Sequence, residues 1–235
     1  MSSHKILIID DEIELAQLLE HVLMKEGFHD IQKAFNLAEG WRQFEQFQPD
    51  IVLLDIMLPD GEGYDLCKKI RQVSTIPVLF MSAKDDEVDK LLGLAIGGDD
   101  YITKPFSPKE VAYRVKAQLR RSGYTEGIVS KQMNTQVGPF LFNDNETELF
   151  KDGVAINLTA KEVGLMRVFL QHPNQILSKE TLFEKVWGED FYGSDNTVMV
   201  HIRRLREKIE DNPSTPNYLL TVKGLGYKFS TKVNS

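Results

Sequence analysis

Five polar residues of this sequence stand where they could handle a phosphoryl group. Asp10 and Asp11 follow the apolar run Lys5-Ile-Leu-Ile-Ile9, and Asp55 follows Ile51-Val-Leu-Leu54. Ser82 follows Pro77-Val-Leu-Phe-Met81, and Lys104 follows Tyr101-Ile-Thr103. Crowded carboxylates do not all ionise comfortably unless a cation sits among them. Hard oxygen donors with room for water suit Mg²⁺. A carboxylate beside bound Mg²⁺ can attack a phosphoryl group and carry it as an aspartyl phosphate. Lys104 would neutralise phosphoryl oxygens, and the Ser82 hydroxyl would hydrogen-bond one. Singly, each of these residues reads as a solvated loop cap. Together, each just after an apolar run, they read as a site.

The runs that precede them are four or five residues long and continuously apolar, the pattern of strands buried on both faces. Helix-period segments lie between them, such as Leu15, Leu18, Leu19, Val22 and Leu23 before Gly27. Strands alternating with helices give crossover units and a doubly wound α/β parallel sheet. Ligands bind at the carboxyl ends of the strands of such sheets, where these chain-distant residues would converge.

A second texture follows a short polar stretch. The expected division is a first domain over residues 1–122, a linker over 123–136 and a second domain over 137–235. The segments Phe140-Leu-Phe142, Glu148-Leu-Phe150 and residues 154–158 read as short antiparallel strands, with Lys151-Asp-Gly153 as a hairpin turn. Thr159-Ala-Lys-Glu162 is a capping box opening a helix to about Gln171. Ser178 caps a second helix over 179–187, and a third runs from near Asp195 to about Glu210. The tail folds back as a closing hairpin. Three helices flanked by hairpins read as an α+β winged helix-turn-helix. In the third helix Val198, Ile202, Leu205 and Ile209 form a buried stripe. Its other faces carry Asn196, Thr197, Val200, His201, Arg203, Arg204, Arg206 and Lys208. That arrangement fits a recognition helix in the major groove of double-stranded DNA, with Thr221 and Lys223 on the wing. His201 reads equally as a packing residue.

Charge separates along the chain in the same way. The whole carries 28 Lys and Arg against 35 Asp and Glu, a net −7. Residues 1–122 account for −6, whereas residues 196–235 carry +4. An acidic module and a basic tip imply different partners. No uncharged run exceeds twelve residues, too short for a membrane helix, and the first residues lack the order of a secretory signal. A single cysteine, Cys67, excludes an intramolecular disulfide framework and fits a reducing, cytoplasmic setting.

Asp10-Asp11, Asp55, Ser82 and Lys104-Pro105, with the run Gly98-Asp-Asp-Tyr-Ile-Thr-Lys-Pro-Phe106, resemble the site of bacterial response-regulator receiver domains over about residues 4–121. Residues 137–230, with Trp187-Gly188 and Thr221-Val-Lys-Gly-Leu-Gly-Tyr227, resemble the winged-helix DNA-binding domain of OmpR/PhoB-type regulators. The resemblance implies a flavodoxin-like receiver with a five-stranded parallel sheet, whose phosphoacceptor Asp55 is charged by a sensor histidine kinase. Asp11, Asp55 and the Met57 carbonyl would bind Mg²⁺, with Asp10 helping through water, and Lys104-Pro105 would be cis. Ser82 and Tyr101 would be a switch pair.

The same resemblance implies a homodimer of phosphorylated receivers, held by Lys90–Glu110, Asp100–Arg114 and Asp99–Arg121 pairs. It further implies binding to direct-repeat promoter sites, and a contact of residues 187–194 with RNA polymerase. The chain would then be no enzyme beyond catalysing its own Mg²⁺-dependent phosphorylation and dephosphorylation. Two positions depart from the pattern: members often carry Arg where Asn196 and Lys223 stand. Ser82-Ala-Lys-Asp85 with Ile96-Gly-Gly-Asp99 is similar to regulators of antimicrobial-peptide systems in Gram-positive bacteria. Phosphatases of the haloacid dehalogenase type also use a strand-end Asp with Mg²⁺, but they need a second Asp two residues on, where this sequence has Met57. The remaining alternative is a constitutive DNA-binding regulator whose receiver is structural or binds another ligand.

Overall fold

The structure, a computed structural model, describes residues 4–83, 87–122, 134–143, 148–188 and 196–231. It divides into two compact units, Met1–Arg120 and Arg121–Ser235.

In the first unit the strands are β1 (Lys5–Ile9), β2 (Asp30–Ala34), β3 (Ile51–Asp55), β4 (Val78–Ser82) and β5 (Asp100–Thr103). They pair in parallel in the order β2-β1-β3-β4-β5, the doubly wound flavodoxin-like sheet. The helices are α1 (Ile13–Lys25), α2 (Leu37–Phe47), α3 (Gly63–Val73), α4 (Glu87–Ile96) and α5 (Pro108–Ser122). Side chains alternate across a strand, so Ile6, Ile8, Leu53, Leu79 and Met81 pack against α1 and α5 on one face. Leu7, Ile9, Val52, Leu54 and Phe80 meet Phe44, Leu66, Cys67 and Ile70 on the other. Along α2, Trp41 stacks on Phe44 with ring centroids 5.4 Å apart.

Two features fix the edges of this sheet, the first at its carboxyl edge and the second at its amino edge. Gly63, the first residue of α3, passes so close to the end of β3 that a Cβ there would stand 2.1 Å from the Asp55 carbonyl oxygen. Only glycine allows that approach. Asp99, just before β5, is fully buried. Its Oδ2 accepts from Arg71 Nη2 at 2.6 Å and from the Val78 N–H at 3.0 Å, tying α3 and the start of β4 to β5. The expected place of Asp99 in a dimer interface is therefore corrected: a carboxylate without exposed surface, paired inside its own domain, is a structural ion.

In the second unit an antiparallel sheet of β6 (Asn134–Val137), β7 (Phe140–Asn143), β8 (Glu148–Lys151) and β9 (Val154–Ile156) precedes α6 (Ala160–Gln171). The expected linker is thus too long at its far end, because residues 134–136 belong to β6; residues 123–133 lie outside the described ones. Asp152 and Gly153 hold φ of 51° and 81°, the left-handed pair that a two-residue hairpin turn needs. The short β10 (Ile176–Leu177), α7 (Lys179–Trp187), α8 (Asn196–Ile209), β11 (Leu219–Val222) and β12 (Gly226–Phe229) complete a winged helix-turn-helix, with a closing sheet in the order β10-β12-β11. Phe140, Phe169, Leu182, Ile202, Leu205 and Phe229 form its core. Trp187 stacks on Phe183 at 5.2 Å.

Removing one partner of a buried ion pair strands the other, so Asp99→Ala should lower the unfolding free energy of the first unit by about 3–5 kcal/mol. An unchanged urea midpoint would show the pair to be dispensable. Gly63→Ala should cost stability as well, by about 1–3 kcal/mol, since backbone has to shift to admit the methyl group; native-like melting of the variant would contradict the close approach.

Candidate functional site

The strand ends of the first unit converge on Lys104. Asp10 follows β1, Asp55 and Ser82 are the last residues of β3 and β4, and Lys104 follows β5. Asp10, Asp55 and Ser82 are buried, while Asp11 is exposed. The Lys104 ammonium lies 2.6 Å from Asp55 Oδ2, 3.0 Å from Asp10 Oδ2 and 2.8 Å from Glu12 Oε1. The Lys104 backbone N–H donates to the Ser82 carbonyl at 2.6 Å, and the Lys104-Pro105 bond is cis. Asp55 Oδ1 accepts from the Met57 N–H at 3.0 Å, and Asp10 Oδ1 from the Glu12 N–H at 3.0 Å.

Burial pushes the Asp10 carboxyl up to about 6, against the lowering effect of Lys104. Burial alone would depress Lys104, but its bonds to Asp55, Glu12 and Asp10 outweigh it and hold the ammonium above its ordinary range. One oxygen each of Asp10, Asp11 and Asp55 lies within 4.8 Å of the others. That all-oxygen, strongly anionic donor set fits Mg²⁺.

Beside this pocket stands half-buried Tyr101, its hydroxyl in hydrogen-bond contact with Ser82 and Tyr64, and burial raises its ionisation. Glu12, Gly63 and Tyr64 are parts of the neighbourhood that no motif marked. Only the step of two residues from Asp10 to Glu12 and the glycine soon after a strand end hint at the first two.

The residues expected at a dimer face are partly engaged within one chain. Arg114 pairs with Asp100 and Glu110, both at 2.9 Å. Lys90 lies half-exposed on α4, and the Arg121 side chain is outside the described residues. Leu92 and Tyr113 are 45% and 62% exposed on α4 and α5.

In the second unit the stripe of Val198, Ile202, Leu205 and Ile209 is buried as expected. Two residues assigned to the outward face are not on it. His201 is fully buried, edge-on to Trp187 at 5.1 Å, and Thr197 is buried as well. Their positions on the helix border the apolar stripe, and Trp187 of α7 covers His201.

Arg204 is turned to the buried carboxylate of Glu162, 3.6 Å away, which also holds Lys208 Nζ at 2.6 Å and the Thr159 N–H at 2.8 Å. Arg206 donates to the Leu219 carbonyl and to Thr221 Oγ1, both at 2.8 Å, and so ties helix to wing. Exposed at the outer surface are Arg203 and Met199, with half-exposed Val200, and on the wing Thr221, Lys223 and Leu225. The Asn196 side chain, and most of the 187–194 segment, lie outside the described residues.

Comparison with known proteins agrees with both units. Residues 6–116 match the response regulator receiver domain, and residues 153–229 match the transcriptional regulatory protein C-terminal domain. The transcriptional regulatory protein YvrH of Bacillus subtilis is 43% identical over 229 residues, 97% of this chain and 96% of its own. The regulatory protein VanR of Enterococcus faecium is 41% identical over 228 residues, covering 96% and 98%. The structure is similar to DrrB, an OmpR/PhoB homologue of Thermotoga maritima, with TM-score 0.51 and 28% identity over 97% and 99% of the chains. A RitR mutant shares the fold at TM-score 0.74 and 23% identity, over 96% and 98%. The chain therefore belongs to the OmpR/PhoB-type response regulators, two-component transcriptional regulators that join a receiver to a DNA-binding winged helix.

Proposed function

We propose that this regulator is switched by phosphorylation of Asp55. The single observation that supports this reading is the convergence of Asp10, Asp11, Asp55, Ser82 and Lys104 on one edge of the sheet. The donor is a sensor histidine kinase. An Asp55 oxygen forms a bond to phosphorus as the phosphorus–nitrogen bond of the kinase phosphohistidine breaks, and the imidazole leaves with a proton from solvent. Asp11, Asp55 and the Met57 carbonyl would hold Mg²⁺, with Asp10 acting through water, and the ion supplies charge neutralisation at the phosphoryl oxygens. Lys104 exchanges a carboxylate for a phosphoryl oxygen, and Ser82 donates to another. Dephosphorylation uses the same pocket.

The modified receiver forms a homodimer through the α4–β5–α5 face, which carries Lys90, Asp100, Glu110 and Arg114 and the exposed Leu92 and Tyr113. Dimerisation brings two winged helices to direct repeats about one helical turn apart, where linked sites multiply affinity. Arg203, Val200 and Met199 on α8 and Thr221 and Lys223 on the wing meet the DNA, with Arg204 and Arg206 fixing the helix that presents them. Residues 187–194 are the candidate surface for RNA polymerase. No helix among the described residues is long and apolar enough to cross a membrane, and the setting we infer is the cytoplasm.

Incubation with acetyl phosphate and Mg²⁺ should add one labile phosphoryl group by intact mass and convert monomer to dimer, with both responses lost in Asp55→Asn. An Asp55→Asn chain that binds promoter DNA and drives transcription like wild type would favour the constitutive alternative. Arg203→Ala should weaken binding to all DNA sequences about equally and reduce the salt slope by about one, as the loss of a phosphate contact does. An unchanged slope would remove Arg203 from the interface.

A further inference from the structure

Tyr64 is 3% exposed at the second position of α3, and nothing in the chemistry at Asp55 uses it. A hydroxyl inside a core needs partners. This one donates to the Asp89 carbonyl of α4 at 3.2 Å and is in hydrogen-bond contact with the Tyr101 hydroxyl. Tyr101 in turn touches Ser82 at the end of β4. Hydroxyl groups thus run in sequence from the phosphoryl pocket, through β5, to α3 and the backbone of α4.

The rings that carry them are closely packed. Tyr64 stands edge-on to Phe80 at 5.4 Å, and Phe80 lies 6.3 Å from Tyr101. On the α4 side, a Cβ at Gly93 would come within 3.2 Å of both the Phe80 and the Tyr101 ring. Tyr101 therefore sits in a fitted place between Ser82 and Tyr64.

The Ser82 hydroxyl has one proton to donate. If that proton goes to a phosphoryl oxygen, Tyr101 loses it and keeps its contact with Tyr64. We propose that Tyr64 is a positioning residue of the switch: its hydroxyl retains Tyr101 beside Ser82 after Ser82 turns to the phosphoryl group, and links Tyr101 to α4. This rests on the reading that Asp55 is phosphorylated and that the α4–β5–α5 face then dimerises.

Tyr64→Phe removes one oxygen and leaves the ring against Phe80. Phosphorylated with acetyl phosphate and Mg²⁺, the variant should take up the same phosphoryl group by intact mass. Its dimer, followed by analytical ultracentrifugation, should dissociate with a constant raised about three- to tenfold, the value of one hydrogen bond. In a Tyr101→Phe background the same change should have no further effect, because the two hydroxyls act as one unit.

A Tyr64→Phe chain that dimerises like wild type overturns the inference. So does an equal loss in the Tyr101→Phe background, which would mark a merely structural hydroxyl. A wild-type chain that takes no phosphoryl group, or takes it without dimerising, overturns the activation reading and this inference with it. A normal wild-type response with an unaffected variant overturns this inference alone.

Discussion

Negative charge gathered at the carboxyl edge of the parallel sheet is the constraint on which the receiver is built. Two like charges 4 Å apart repel by about 4 kcal/mol at the effective dielectric of a protein surface. One oxygen each of Asp10, Asp11 and Asp55 lies within 4.8 Å of the others, at strand ends whose positions the sheet dictates. The cation they need is built in, because Lys104 reaches Asp10, Glu12 and Asp55 together. Such a cluster is compact only while a positive charge stays within it. Asp10, Glu12 and Asp55 thus share one ammonium, so a change at any one of these carboxylates alters the charge balance of the other two.

Much of this was legible in the sequence, for a physical reason. Central parallel strands are buried on both faces, so β1, β3 and β4 read as continuous apolar runs, and the polar residues at their ends stand out. β2 does not announce itself: Asp-Ile-Gln-Lys-Ala is an edge strand with exposed positions, paired on one side only, and it needs no apolar run. β6 and β10 are short and were not marked either. Long-range pairing of polar groups was the least legible. Asp99 looks like a surface acid until Arg71, 28 residues away, donates to it inside the fold.

The winged domain shows the same limit. A helix rich in arginine reads as a DNA-facing helix, and α8 has the expected apolar stripe. Yet Lys208 and Arg204 spend charge on Glu162, Lys208 across 46 residues of chain, and Arg206 spends its donors on the wing. Periodicity separates the buried stripe from the rest. It does not separate cations that hold the helix in place from cations left for a partner, since that depends on carboxylates elsewhere in the fold. His201 lies on the border between stripe and surface, and only the packing of Trp187 decides its side.

The two tryptophans of the chain fall one in each unit, Trp41 against Phe44 in the receiver and Trp187 against Phe183 and His201 in the winged domain. Each indole is a native optical probe of one domain alone. Lys69 lies 3.8 Å over the ring of Trp41, and Lys161 4.9 Å over that of Trp187, so the two rings have distinct surroundings. Replacing either tryptophan leaves a chain whose tryptophan emission, excited beyond the tyrosine band, follows the loosening of a single domain. The order in which the two halves of the regulator melt can thus be read without any attached dye.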